Sequence, residues 1–116
     1  MARLNLTHVA TLREFVRAGT MARAAEALGY THGAVSQHLA ELERVVGVPI
    51  ITKVGRRAVL TDAGRALAAE AEVLLEAEER ARFAVGDASG AVAGRLLLGT
   101  WGSATSALLI INPSRY

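Results

Sequence analysis

Apolar residues recur at spacings of three and four through the first part of the chain. Leu6, Val9, Leu12, Phe15 and Val16 form the first such row, the stripe of an amphipathic helix over residues 6–18. Asn5 or Thr7 can cap its start and Gly19 ends it. Ala24, Ala25 and Leu28 form a shorter row, which predicts a helix over 21–28 capped by Thr20, with Arg23 and Glu26 facing out. Val35, Leu39 and Leu42 form a third row and predict a helix over 32–46 behind Thr31 as cap. Gly29 sits where the second helix must turn, a position that favours positive φ.

Ala25, Gly29 and Val35 set the geometry of this pair of helices. The alanine lets two helices cross closely, the glycine makes the turn, and the β-branched valine six residues later points back into the core. That spacing matches a helix-turn-helix, whose second helix enters the DNA major groove, and it also fits an ordinary helical hairpin. The outer face separates the two. Thr31, His32, Ser36, Gln37 and Ala40 lie outside the apolar row. Short polar side chains and a glutamine suit hydrogen bonds to base edges, whereas a merely solvated face more often carries Lys and Glu.

Gly47-Val48-Pro49 breaks the third helix. Ile50–Lys53 then reads as a short strand, Val54-Gly55-Arg56-Arg57 as a turn with a basic tip, and Ala58-Val59-Leu60 as the returning strand. A hairpin after three helices is a wing, and Lys53, Arg56 and Arg57 are its candidate phosphate or minor-groove contacts. Arg23, at the start of the second helix, is either another phosphate contact or a plain surface arginine.

Thr61 and Asp62 open a helix reaching about residue 88, with only Gly64 and Gly86 interrupting strong helix formers. Leu60, Leu67, Leu74, Ala81 and Ala88 repeat every seven residues, with Ala63, Ala77 and Ala84 interleaved and Glu70 breaking the series. An apolar seam on so long a helix needs a partner. Its first turns pack on their own domain. The rest pairs with a second copy, with Leu67, Ala71, Leu74, Ala77 and Ala81 as dimerisation candidates. Glu70, Glu72, Glu76, Glu78 and Glu79 make the outer face acidic, so this is not a DNA-binding helix. Residues 86–94 have the composition of a flexible linker. Arg95–Gly99 reads as a strand and Leu108–Ile111 as a second apolar run.

Composition sharpens the picture. Apolar residues make up 52% of the chain but aromatic ones only 4%, so the core is modest and mainly α-helical. Cysteine is absent, which excludes disulfides and thiolate metal sites. No run of about 18 apolar residues suggests a membrane span, so no membrane partner is expected and the cytoplasm is the expected location. Residues 1–65 carry a charge of +4 and residues 66–116 a charge of −2, which fits a nucleic-acid module followed by something else. His8 reads as an exposed structural residue with no ligand cluster beside it. No paired carboxylates, nucleophile beside a base, metal cluster or phosphate loop stands out, so no catalytic residues, metal or cofactor are expected and the chain is not read as an enzyme.

With these elements in place, the sequence resembles the LysR-type transcriptional regulator family. The matching residues are Thr20-Met-Ala-Arg-Ala-Ala25, Ala34-Val35-Ser36, Leu42-Glu43, Gly47-Val48-Pro49, Gly55-Arg56-Arg57 and Leu60-Thr61-Asp62-Ala63-Gly64, with Gly94-Arg95-Leu96-Leu97-Leu98-Gly99 further on. The resemblance implies a winged helix-turn-helix over residues 1–61, a dimerising linker helix over 62–88, and a hinge with the start of an effector-binding domain over 89–116. It implies binding of double-stranded DNA at an interrupted, often AT-rich inverted repeat, by a homodimer or a higher homo-oligomer. Carried over by position, Arg23 touches phosphate, Thr31, His32, Gly33, Ser36 and Gln37 face the groove, and Arg56 and Arg57 belong to the wing. Thr100 and Ser103 fall at the mouth of a co-inducer site, but most of that domain's length is missing, so no small-molecule effector is expected here. The chain departs from the family with Thr31-His32-Gly33 in place of a Ser-Gln-Pro type triplet, and with Ile50-Ile51 in place of Leu-Phe. The alternative reading is an interaction module that pairs with full-length relatives through its linker helix.

Overall fold

A computed structural model describes residues 2–90. The element order is α1 (Leu6–Ala18), α2 (Met21–Leu28), α3 (His32–Val46), β1 (Ile51–Val54), β2 (Arg57–Leu60) and α4 (Asp62–Ser89). The architecture is mainly α, three short helices and a two-stranded antiparallel wing followed by a long helix. The strands expected at 95–99 and 108–111, the effector-domain start, and Thr100 and Ser103 lie outside the described residues.

Each helix starts on a side-chain cap that the sequence supplies. Asn5 Oδ1 accepts from Thr7 N at 2.8 Å, Thr20 Oγ1 from Arg23 N at 3.1 Å, Thr31 Oγ1 from Ala34 N at 3.0 Å, and Thr61 Oγ1 from Gly64 N at 3.0 Å. Each satisfies one of the amide donors that a helix start leaves free. Gly29 closes α2 at φ +72°. The turn brings Tyr30 N to the Ala25 carbonyl at 2.9 Å and Gly29 N to the Glu26 carbonyl at 3.3 Å, a reversal that L side chains rarely tolerate.

The described residues divide into two compact units, one up to Leu75 and one from Glu76 on. The core belongs to the first. Val9, Leu12 and Phe15 of α1, Ala24 and Ala25 of α2, Val35, Leu39 and Leu42 of α3, Ile50, and Ala71 of α4 are all buried. The predicted rows hold for α2 and α3 and shift on α1. There Leu6 is 38% and Val16 48% exposed, while Thr11 is fully buried. A polar group can be buried without a large cost when its hydrogen bonds are made, and Thr11 makes them: its hydroxyl lies 3.2 Å from the Thr7 carbonyl and 2.8 Å from His38 Nδ1.

The wing is offset slightly from expectation. β1 starts one residue later than predicted and β2 one residue earlier, in the register Ile51↔Leu60 to Val54↔Arg57. Ile50 is released from the strand and fills the core at 1% exposure.

The heptad series on α4 has an occupant within its own chain. Ala71 is completely buried there, and Leu67 and Leu74 pack against the same core. This corrects the expectation that Ala71 is offered to a second copy: the short side chain is spent on close approach to its own domain. Ala77 and Ala81 remain exposed. Glu72 is exposed, as expected of the acidic face, and also reaches the first helix. It faces Arg13 Nη1 at 3.7 Å and Arg17 Nη2 at 3.5 Å, tying α4 to α1. In the second unit, Arg82 Nε donates to Glu78 Oε2 at 2.9 Å along the helix.

Candidate nucleic-acid interface

The reading row of α3 stands clear of the core. Thr31, His32, Gly33, Ser36, Gln37 and Ala40 are all exposed, opposite the buried Val35, Leu39 and Leu42. A Cβ on Gly33 would meet nothing nearer than the Thr31 hydroxyl at 3.9 Å, so this position presents bare backbone in open space.

The cations sort into two groups. Arg13 and Arg17 face Glu72, Arg44 pairs with Glu41, Arg65 with Asp62, and Arg82 with Glu78. Among the described residues no ion pair engages Arg23, Lys53, Arg56 or Arg57, the four positions proposed for phosphate; Arg3 and Arg80 are free as well. Lys53, Arg56 and Arg57 cluster at the exposed end of the wing, and Arg23 is exposed in the first turn of α2. A guanidinium without an internal partner is available to a phosphate oxygen without first losing a salt bridge.

Two side chains hold this surface together through contacts that the sequence reading did not include. The Glu43 carboxylate Oε2 accepts from Ile50 N at 3.0 Å and from Ile51 N at 3.1 Å, joining the end of α3 to the root of the wing. Thr61 donates its hydroxyl to the Pro49 carbonyl at 2.8 Å while accepting from Gly64 N, and its own N–H reaches the Ile50 carbonyl at 3.0 Å. Both lie inside matching motifs, Leu42-Glu43 and Leu60–Gly64, yet nothing in their spacing reveals a partner that the fold alone brings near.

The histidines also differ from expectation. His8 is half-buried and not exposed, and its ring lies 4.6 Å from that of His38, tilted by 31°. Tyr30 meets His38 edge-on at 5.2 Å. Burial, then the neighbouring His8, holds the His38 pKa below the ordinary 6.5. On the exposed side of α3, the hydrogen bond from Arg44 lowers the Glu41 pKa.

The family profile described as "Bacterial regulatory helix-turn-helix protein, lysR family" matches residues 6–65, slightly more than half of the sequence and the whole of the helix-turn-helix and wing.

This chain belongs to the LysR family.

Its relatives agree with that assignment. An uncharacterized HTH-type transcriptional regulator in the ibpB-leuC intergenic region of Azotobacter vinelandii is 38% identical over 95 residues, covering 79% of this chain and 66% of that protein. The HTH-type transcriptional activator CmpR of a Synechocystis strain is 32% identical over 97 residues, covering 78% of this chain and 32% of that protein. The chain thus spans from about a third to just under two thirds of the length of these relatives. Among solved structures, the CbnR DBD–DNA complex is 29% identical with a TM-score of 0.65, covering 77% of this chain and 98% of that one. The family and these relatives are transcriptional regulators, not enzymes. Among the described residues no helix is long and apolar enough to cross a membrane.

Proposed function

We propose that this LysR-family chain binds DNA in a sequence-dependent way, as a dimer, at an interrupted inverted repeat. The carrying observation is the exposed polar row of α3 together with four exposed cations that no acid among the described residues engages. The structural relative CbnR is solved with its DNA-binding domain on DNA, which supports DNA as the partner. Ser36, Gln37 and His32 supply hydrogen bonds to base edges, while Arg23, Lys53, Arg56 and Arg57 supply phosphate contacts. Two copies set two recognition helices in successive major grooves when they pair along α4. Leu67 and Leu74 contribute whatever edge their own core leaves open. Ala77 and Ala81 lie bare for the contact, as does Val85, which is 71% exposed.

Fluorescence anisotropy on an AT-rich inverted repeat and a scrambled duplex, across a salt series, tests this. With six to ten phosphate contacts, affinity falls about 10³–10⁵-fold between 50 and 200 mM salt. Gln37→Ala costs about 1–3 kcal/mol on the preferred sequence and little on random DNA, whereas Arg56→Ala weakens both alike. Equal losses on both duplexes for Gln37→Ala would remove Gln37 from the reading set.

A second reading rests on the same exposed apolar side chains of α4: the chain pairs with a longer family member and withdraws it from its site. Mixing the two and finding no exchanged dimers by native mass spectrometry would sink it.

A further inference from the structure

Three histidines lie in or near the helix-turn-helix, and only His32 belongs to the reading row. The other two are held inside a small aromatic cluster between α1 and α3. His38 stacks on His8 at 4.6 Å between ring centroids and takes the edge of Tyr30 at 5.2 Å. Its Nδ1 lies 2.8 Å from the hydroxyl of the fully buried Thr11. Tyr30 immediately precedes Thr31, the cap of α3. The cluster therefore joins the first helix, the turn and the recognition helix at one point.

Proton counting fixes the roles. The Thr11 hydroxyl carries one hydrogen and lies within reach of both the Thr7 carbonyl and His38 Nδ1. Both contacts are made at once only if Thr11 donates to Thr7 and His38 Nδ1–H donates to Thr11. The second ring nitrogen, Nε2, is then where the next proton binds. Once His38 and His8 both carry a positive charge, two stacked cations face each other across the α1–α3 contact. Among the described residues, the groups set against His38 are the His8 ring and Thr11 hydroxyl from α1 and the Tyr30 ring from the turn. Glu41, one turn along α3, is the acid that senses His8, and its charge is already met by Arg44.

We propose that His38 is a positioning residue for the recognition helix and that its stack on His8 makes this positioning proton-sensitive, so that acid loosens α3 from α1 and weakens sequence discrimination. The proposal rests on the DNA-reading function above. At neutral pH the uncharged stack seats α3; in acid the repelling rings shift its first turns, where Thr31, His32, Ser36 and Gln37 lie.

The test uses the full chain, and the His8→Phe variant separates the stack from the reading-face His32. A duplex selected from a random-sequence pool at pH 7.5 and a random duplex serve as probes in anisotropy titrations from pH 7.5 to 5.5 at constant ionic strength. The preference for the selected duplex falls about tenfold, the factor carried by a single pKa unit of coupling. His8→Phe keeps an aromatic face but no second charge, and flattens the profile. His38→Asn keeps a donor for Thr11 and flattens it as well. In parallel, ring carbon–proton NMR follows His38, which titrates below its ordinary value, and less far below it in His8→Phe. Preference unchanged with pH, or acid loss that persists in His8→Phe, overturns the proposal, as does a His38 ring that titrates at its ordinary value. Absence of any preference at pH 7.5 instead defeats the DNA-reading function itself, and the proposal with it.

Discussion

Gly64→Ala is expected to lower the melting temperature by about 10 °C. On helix propensity alone the change is favourable, since alanine in a helix is about 1 kcal/mol better than glycine. The surroundings of Gly64 reverse the sign. A Cβ at this position lands on the Ile50 carbonyl oxygen far inside van der Waals distance, with the carbonyl carbon at 3.0 Å and Leu60 Cδ2 at 3.2 Å. The obstructing oxygen is backbone and already accepts from Thr61 N, so it cannot swing aside as a side-chain tip could. Overpacking of this kind costs about 1–3 kcal/mol and sometimes more. With the obstacle fixed at both ends we expect the upper part of that range, leaving about 2 kcal/mol of net loss after the propensity gain. For a domain of this size that corresponds to roughly 10 °C. Gly33→Ala is the control of opposite sign. Its Cβ meets open space, and it should stabilise by about 0.5–1 kcal/mol. Thermal melts by circular dichroism read both, and equal or rising melting temperatures for the two variants would refute the close approach at Gly64.

Removing the Glu43 carboxylate is the second large effect. Glu43→Ala leaves two amide donors, Ile50 N and Ile51 N, without their acceptor at a partly buried site. Hydrogen bonds to a charged group contribute about 1.5–3 kcal/mol each, less where water can replace the partner. Partial access to water puts the combined cost at about 2–3 kcal/mol, measurable as a shift in urea midpoint at constant slope. Glu43→Gln retains one carbonyl oxygen and recovers part of it. The functional consequence separates this residue from a generic stabiliser. Ile51 opens the strand that carries Lys53 and leads to Arg56 and Arg57, so a loosened root should weaken binding to selected and random duplexes alike, as Arg56→Ala does. A Glu43→Ala protein with unchanged stability and unchanged affinity would show that the wing is seated by other contacts.

Local rules account for much of what the structure contains. The four caps and the turn glycine could be read from single residues because each acts on its nearest backbone neighbours. The apolar rows of α2 and α3 could be read because helical period fixes which side chains share a face. The row on α1 was misplaced at Leu6, Val16 and Thr11, because a buried threonine looks polar until its distant partner, His38, is known. The heptad on α4 was legible as a seam, while its partner over Leu67, Ala71 and Leu74 was not, since the same pattern serves a second copy or the chain's own core.

The sequence by itself determined the helices, their starts and turns, the basic wing, the polar row of α3 and the family to which they point. These are properties of period, local capping and spacing along the chain. The tertiary structure alone decided that Glu43 anchors the wing, that Gly64 admits the Ile50 carbonyl, that Glu72 meets Arg13 and Arg17, and that His8 stacks on His38. Each joins groups at least seven residues apart in sequence, and most far more distant. Such contacts are created by packing, and no periodicity along the chain encodes which distant side chain will arrive.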